Sequence, residues 1–207
     1  MIVIGLTGSV AMGKSTAADM IKSFGIPVFD ADKAVADLYK KQKMIRAIGN
    51  IFPEAYSNDS INRPIVAKIA FKETTKLIKL QEIIHPEVGK LRKNWIRRMA
   101  ANKERVVVFD VPLLFETKAD FSCDIVIVIS APYKIQKQRA LSRKGWDKDR
   151  FLSIMRKQIP DSYKKKLADF VIPSSRGKRN MRIMIKEAIN YSLNLSNRPI
   201  SVVFKDL

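Results

Sequence analysis

The chain has 207 residues, 46% hydrophobic and 29% charged, and no apolar run near the roughly 20 residues of a membrane helix, so one globular core and no membrane partner are expected. A net charge of +19, from 39 Lys and Arg against 20 Asp and Glu, suits either a nucleic-acid binder or an enzyme for polyphosphate ligands. The basic residues are scattered over helical faces from Lys68 to Lys186, without interleaved aromatics or an arginine-rich arm, so a solvated lysine-rich surface is expected and no nucleic-acid partner.

Met1-Ile2-Val3-Ile4 has no basic leader or cleavage site, and Ile2 to Thr7 reads as a buried strand, not a signal peptide. It runs into Gly8-Ser9-Val10-Ala11-Met12-Gly13-Lys14-Ser15, followed by Thr16, which fits G-x-x-x-x-G-K-[ST]. Ala17, Met20, Ile21 and Phe24 then recur on one helical face. Strand, glycine loop and helix together form a phosphate-binding context. Gly8 and Gly13 let backbone N–H groups converge, and the helix N-terminus favours an anion. In such a loop Lys14 reaches the β- and γ-phosphates and the Ser15 hydroxyl ligates Mg²⁺. The alternative, a glycine-bearing turn with an accidental lysine, leaves this spacing unexplained.

Gly25 caps the first helix and Pro27 stops it. Ile26 to Phe29 is a second strand ending in Asp30-Ala31-Asp32. Both aspartates are expected at the carboxyl edge of a parallel sheet, facing the phosphate loop, although either could instead cap the helix beginning near Lys33. From Lys33 to Lys103 the pattern is helical, with polar turns at Ser57-Asn58-Asp59-Ser60 and at His85-Pro86 and no strand signal. An insertion of that length is expected to form a helical subregion over the site. His85, before Pro86, is placed at a helix start, where capping or orienting substrate suits it better than acid–base work.

Val106 to Phe109 is a continuous apolar strand ending at Asp110, a carboxylate placed to hold Mg²⁺ through water. An apolar loop, Val111 to Phe115, closes with Glu116. Cys123 is the only cysteine; it excludes an internal disulfide, reads as a bystander thiol and fits a reducing, cytoplasmic location. Asp124 to Ser130 is a further strand, and Pro132 starts a helix whose Arg139 and Arg143 share a face. Gly145-Trp146 breaks it, a charged helix runs from about Asp147 to Gln158, and Phe170 to Ile172 is the last core strand. Met181, Met184, Ile185, Ala188 and Ile189 mark a closing amphipathic helix, and Ile200 to Phe204 is either an added strand or a loose end.

The order of these motifs resembles the dephospho-coenzyme A kinase family. The matching pieces are Gly5 to Gly8 into Gly13-Lys14-Ser15-Thr16, Asp30-Ala31-Asp32, Asn62-Arg63, His85-Pro86, Asp110 to Glu116, Arg139, Arg143, Gln158 and Ala168-Asp169. The resemblance implies an α/β P-loop NTPase three-layer fold with a parallel five-stranded sheet. Its parts are a core of about 1–32, 104–135 and 166–195, a helical substrate region of about 33–103, a lid of about 136–165 and a tail of 196–207. It implies ATP and Mg²⁺, and γ-phosphoryl transfer to the ribose 3′-hydroxyl of dephospho-coenzyme A by a monomer or small homo-oligomer. Asp32 is similar to the family's general base, with Lys14 and Arg139 as the other catalytic residues. Gly8, Ala11, Met12, Gly13, Lys14, Ser15, Thr16 and Arg143 match ATP contacts. Asp30, Asp32, Arg63, His85, Asp110 and Leu114 match substrate contacts, and Ser15 and Asp110 the metal site. The chain departs from the family at Ala11 and Met12 in the loop, at Ile154 where an arginine is usual, and at Pro173-Ser174-Ser175 in the turn bordering the adenine. The rival readings are another small-molecule kinase on the same fold and a nucleotide-dependent nucleic-acid binder.

Overall fold

The computed structural model describes residues 1–195, so the segment expected to carry Ile200 to Phe204 lies outside the described residues. In chain order it contains β1 (Ile2–Thr7), α1 (Lys14–Ser23), β2 (Val28–Asp30), α2 (Ala31–Leu38) and α3 (Gln42–Ile51). Next come β3 (Tyr56–Ser57), β4 (Ser60–Ile61), α4 (Arg63–Lys72), α5 (Thr74–Ala101), β5 (Val106–Asp110) and β6 (Ile125–Ser130). The chain continues with α6 (Tyr133–Leu141), α7 (Lys148–Arg156), α8 (Asp161–Lys166), β7 (Phe170–Pro173) and α9 (Lys178–Leu195).

Five strands form one sheet in the order β2-β5-β1-β6-β7. The pairs β1–β5, β1–β6 and β6–β7 are parallel. A strand flanked on both sides and covered on both faces has no solvent side. That is why β1, β5 and β6 are apolar runs rather than alternating ones: Ile4, Leu6, Val107, Val108, Ile127 and Ile129 are fully buried. Helices α1 and α9 bury Ala17, Ala18 and Ile21, and Met181, Ile185, Ala188 and Ile189, in this core, so the methionines there pack as expected. Helix α1 ends as its glycine dictates: Gly25, at φ +78°, donates to the Lys22 carbonyl at 2.9 Å.

The contacts divide the chain into two compact units, residues 1–29 with those from Met99 onward, and residues 30–98. The second has its own apolar core, in which Leu38, Ile48 and Phe52 are fully buried among Met44, Val66, Ala70, Leu80 and Ile84. Two sequence expectations fail here. The expected polar turn at Ser57–Ser60 is present, but the stretch is not free of strands: the turn is the tip of a two-stranded hairpin, with Asn58 and Asp59 both in the left-handed region that a tight hairpin turn requires. His85-Pro86 does not start a helix but lies inside α5. Pro86 offers no N–H to the carbonyl four residues back, yet Leu80, Ile84, Val88 and Leu91 continue one apolar stripe past it, and packing carries the helix through.

Candidate active site

The carboxyl ends of β1, β5 and β6 meet around the phosphate loop. Thr7, fully buried at the end of β1, donates its hydroxyl to the Pro112 carbonyl at 3.1 Å. Gly8 has no alternative: a β-carbon there would sit 2.6 Å from the Ile129 carbonyl oxygen, a backbone atom that cannot give way. The chain then turns with Met12 N–H on the Ser9 carbonyl at 3.1 Å, and both Ala11 (φ +60°) and Gly13 (φ +95°) are left-handed. Gly13 is the N-cap of α1 and supplies no side-chain cap. The first N–H groups of α1 are therefore left for an anion, with the positive end of the helix dipole behind them.

The two departures in the loop have local explanations. Ala11 accepts the conformation a glycine would take, and its methyl packs in a small cluster with Ala140 and Phe151. Met12 is buried, and its thioether accepts the buried Ala131 N–H at 3.0 Å.

The loop is also gripped from outside. Val10 N–H donates to Gln158 Oε1 at 3.0 Å, and the Val10 carbonyl accepts from Gln136 Nε2 at 2.9 Å. Ser174 donates its hydroxyl to the Met12 carbonyl at 2.6 Å. It receives Arg139 as a fork, Nη1 on its Oγ at 2.8 Å and Nη2 on its carbonyl at 3.0 Å. Arg139 thus stands beside Gly13, tying α6 to the turn after β7, and the unusual Pro173-Ser174-Ser175 turn has a defined task. Gln158 was visible in sequence as part of the family pattern. Gln136 and the latch formed by Ser174 were not, because a glutamine in a helix and a serine in a turn carry no signal of distant partners.

Inside the loop, Lys14 Nζ lies 2.5 Å from Asp110 Oδ1. The register sets this up: Asp110, the last residue of β5, lies opposite Leu6, two residues before the loop begins at Gly8. The side chains of both are largely buried, 14% and 9% exposed, so the pair is poorly screened and holds Lys14 at the loop. Ser15 and Asp110 offer the hard oxygen donors that Mg²⁺ prefers. Among the described residues no cluster of three or more His, Cys, Asp or Glu forms a cage. A hydroxyl and a carboxylate, completed by waters and substrate phosphates, fit Mg²⁺ better than a dedicated all-protein site does.

Other expected residues are placed differently. Arg143 lies over the Trp146 ring at 5.2 Å, with Arg150 on the same ring at 5.0 Å. Leu114, expected among the substrate contacts, is fully buried with Phe115, Val126 and Val128 and would be 2.9 Å from a β-carbon on Gly5. Its side chain belongs to the core. In the second unit Asp30 is the N-cap of α2, its Oδ1 accepting Lys33 N–H at 2.9 Å, so the helix begins at Ala31 rather than near Lys33. Asp32 sits in the first turn of that helix. Arg63 opens α4 with its guanidinium 5.2 Å over the Tyr39 ring, and burial raises the Tyr39 hydroxyl above its usual range while the Arg63 charge works against it. Among the described residues, no helix is long and apolar enough to cross a membrane.

The sequence profile of the dephospho-CoA kinase family matches residues 2–179. A dephospho-CoA kinase of Bartonella quintana is 43% identical over 180 residues, 87% of this chain and 92% of its own. A crystal structure of a protein from Thermus thermophilus superimposes with a TM-score of 0.84 at 28% identity, covering 93% of this chain and 97% of that one. The dephospho-CoA kinase from Campylobacter jejuni shares the fold at a TM-score of 0.65 and 23% identity, over 93% and 97% of the two chains. A strand, phosphate loop and helix with Lys14 held at Asp110, carried on a parallel five-stranded sheet, agree with these likenesses: the chain belongs to the dephospho-CoA kinase family of enzymes.

Proposed function

We propose that the chain transfers the γ-phosphoryl group of ATP to the ribose 3′-hydroxyl of dephospho-coenzyme A, giving ADP and coenzyme A in the final step of coenzyme A biosynthesis. The observation that carries this reading is the uncapped N-terminus of α1, wrapped by the Gly8–Gly13 loop, with Lys14 poised against Asp110. Phosphoryl transfer asks little covalent chemistry of the protein, so positioning and charge neutralisation carry the rate. The loop N–H groups other than those of Val10 and Met12 bind the phosphates together with those of Lys14, Ser15 and Thr16. Lys14 exchanges Asp110 for the β- and γ-phosphate oxygens. Ser15 and Asp110 hold Mg²⁺, which offsets phosphate charge when bound.

Asp32 orients the 3′-hydroxyl and accepts its proton as the oxygen bonds to the γ-phosphorus and ADP leaves. Arg63 and His85 serve the substrate region of about 33–103. Arg139 holds the nucleotide side of the loop, and Arg143 belongs to the lid of about 136–165, whose closure excludes water as an acceptor.

A coupled ADP-release assay tests the reading, with ATP, Mg²⁺ and either dephospho-coenzyme A, AMP, CMP, shikimate or no acceptor. Release dependent on dephospho-coenzyme A, with coenzyme A as product, is expected; release with another acceptor alone would overturn the substrate. Asp32→Asn is expected to cut kcat by about 10²–10⁴-fold while ADP binding measured by calorimetry stays within about twofold. Turnover like that of the unaltered chain would remove Asp32 as the base.

A further inference from the structure

Behind the grip on Val10 lies a buried ion pair that the reaction above does not use. Lys164, on α8, is completely buried, and its Nζ lies 2.8 Å from Glu116 Oε1. The same Glu116 oxygen accepts the Ile159 N–H at 2.9 Å, joining the loop after β5 to the connector between α7 and α8. Ile159 follows Gln158, whose Oε1 takes the Val10 N–H. At the near end of α8, Asp161 accepts the Ser130 hydroxyl at 2.7 Å and so ties this helix to the end of β6. The result is one continuous path of polar contacts from Lys164 through Glu116, Ile159 and Gln158 to the crown of the phosphate loop.

Packing alone does not account for it. Burying an ammonium and a carboxylate is costly even when they pair, and an apolar pair of similar size would fill the same space at less cost. What the ion pair adds is position. A carboxylate held by Lys164 presents one oxygen to the Ile159 N–H in one place, and the next residue back then has a fixed reach to Val10. Gln158 holds the peptide before Val10 through its N–H and Gln136 the peptide after it through its carbonyl, so loss of one grip frees that side of Val10 to turn.

We propose that Glu116 and Lys164 are positioning residues for nucleotide binding, acting through Ile159 and Gln158 to hold the phosphate loop in its phosphate-accepting form. The proposal rests on that loop being the ATP site. It distinguishes the two substrates, which a merely structural pair would not.

The test compares Lys164→Met, Gln158→Leu and the two combined, by steady-state kinetics and by calorimetric binding of ADP. Lys164→Met is expected to raise KM for ATP and Kd for ADP about tenfold, with KM for dephospho-coenzyme A within about twofold and kcat within about threefold. Gln158→Leu should give the same pattern, and the combined variant should be no worse than the stronger single one, since both act on one path. Equal changes in both KM values, an unchanged ADP affinity in the folded variant, or effects that multiply would overturn the proposal. If Lys164→Met does not fold, Glu116→Gln with Lys164→Met removes both charges together. That variant is expected to weaken ADP at least about threefold, and unaltered affinity would overturn the proposal. An unaltered chain that binds no ADP would overturn the reading of the loop itself, and this proposal with it.

Discussion

The phosphate-loop region and the helical unit of residues 30–98 both have buried apolar cores, but their polar side chains behave differently. Around the loop the side-chain hydrogen bonds span great sequence distances: Gln158 to Val10 across 148 positions, Ser174 to Met12 across 162 and Glu116 to Ile159 across 43. In residues 30–98 they mostly close over three positions, as at Asp30 to Lys33, Asn62 to Ile65, Tyr56 to Asp59 and Glu87 to Lys90. Gln42 to Asp59 and Lys76 to Glu54 reach only 17 and 22. Long-range ties fix distant backbone segments against each other, as a site that must receive developing charge requires. Such local ties start a helix, close a turn or brace one helix turn, and leave the arrangement of the unit to apolar packing.

The largest expected effect comes from the centre of the first region. Lys14→Ala removes the cation that Asp110 holds at the loop and, on the proposed role of Lys14, is expected to lower kcat/KM for ATP by about 10³-fold. A loss below tenfold would mean that the loop amides, not Lys14, carry the charge neutralisation. In the second region the comparable blow falls on packing. Phe52, wholly buried at the end of α3, should cost about 3–5 kcal/mol of stability in Phe52→Ala, read by denaturant unfolding. ADP affinity below the transition should stay within about twofold. A parallel loss of ADP affinity would show the two regions to be energetically one, and the contrast between them would fail.

The same contrast explains what could be read from the sequence. The loop, the sheet and Gly25 are local patterns: a glycine spacing, apolar runs four to six residues long and a helix stop. Asp110 was legible because a strand end is local too, and the structure adds only that Lys14 lies against it. The ties that position the loop were illegible. Nothing near Gln136, Ser174 or Lys164 announces a partner on another element, and Lys164 sits in a lysine run that reads as solvated surface. Pro86 failed for the opposite reason, since a strong local signal was overridden by the apolar stripe packed around it.

A middle-sized effect tests whether the long ties matter individually. Ser174→Ala leaves the Met12 carbonyl and one arm of Arg139 without their partner in a buried setting, where each such group costs about 1–3 kcal/mol. KM for ATP is expected to rise about tenfold, with a matching loss in the thermal shift that ADP produces. An unchanged ADP-induced shift would make the latch a fold contact only.

The smallest effect separates capping from chemistry at Asp30, where the two regions' styles meet in one residue. Its side chain caps α2, the helix that carries Asp32 in its first turn. Asparagine caps as well as aspartate, so Asp30→Asn should change stability by less than about 0.5 kcal/mol, whereas Asp30→Ala should cost about 1 kcal/mol. If the residue only caps, Asp30→Asn leaves KM for dephospho-coenzyme A within about twofold, and Asp30→Ala raises it only as far as a frayed first turn loosens Asp32. If the carboxylate itself meets substrate, Asp30→Asn raises that KM with no loss of stability. The local style of residues 30–98 predicts the first pattern, and the second would place a substrate contact on a residue whose visible task is to start a helix.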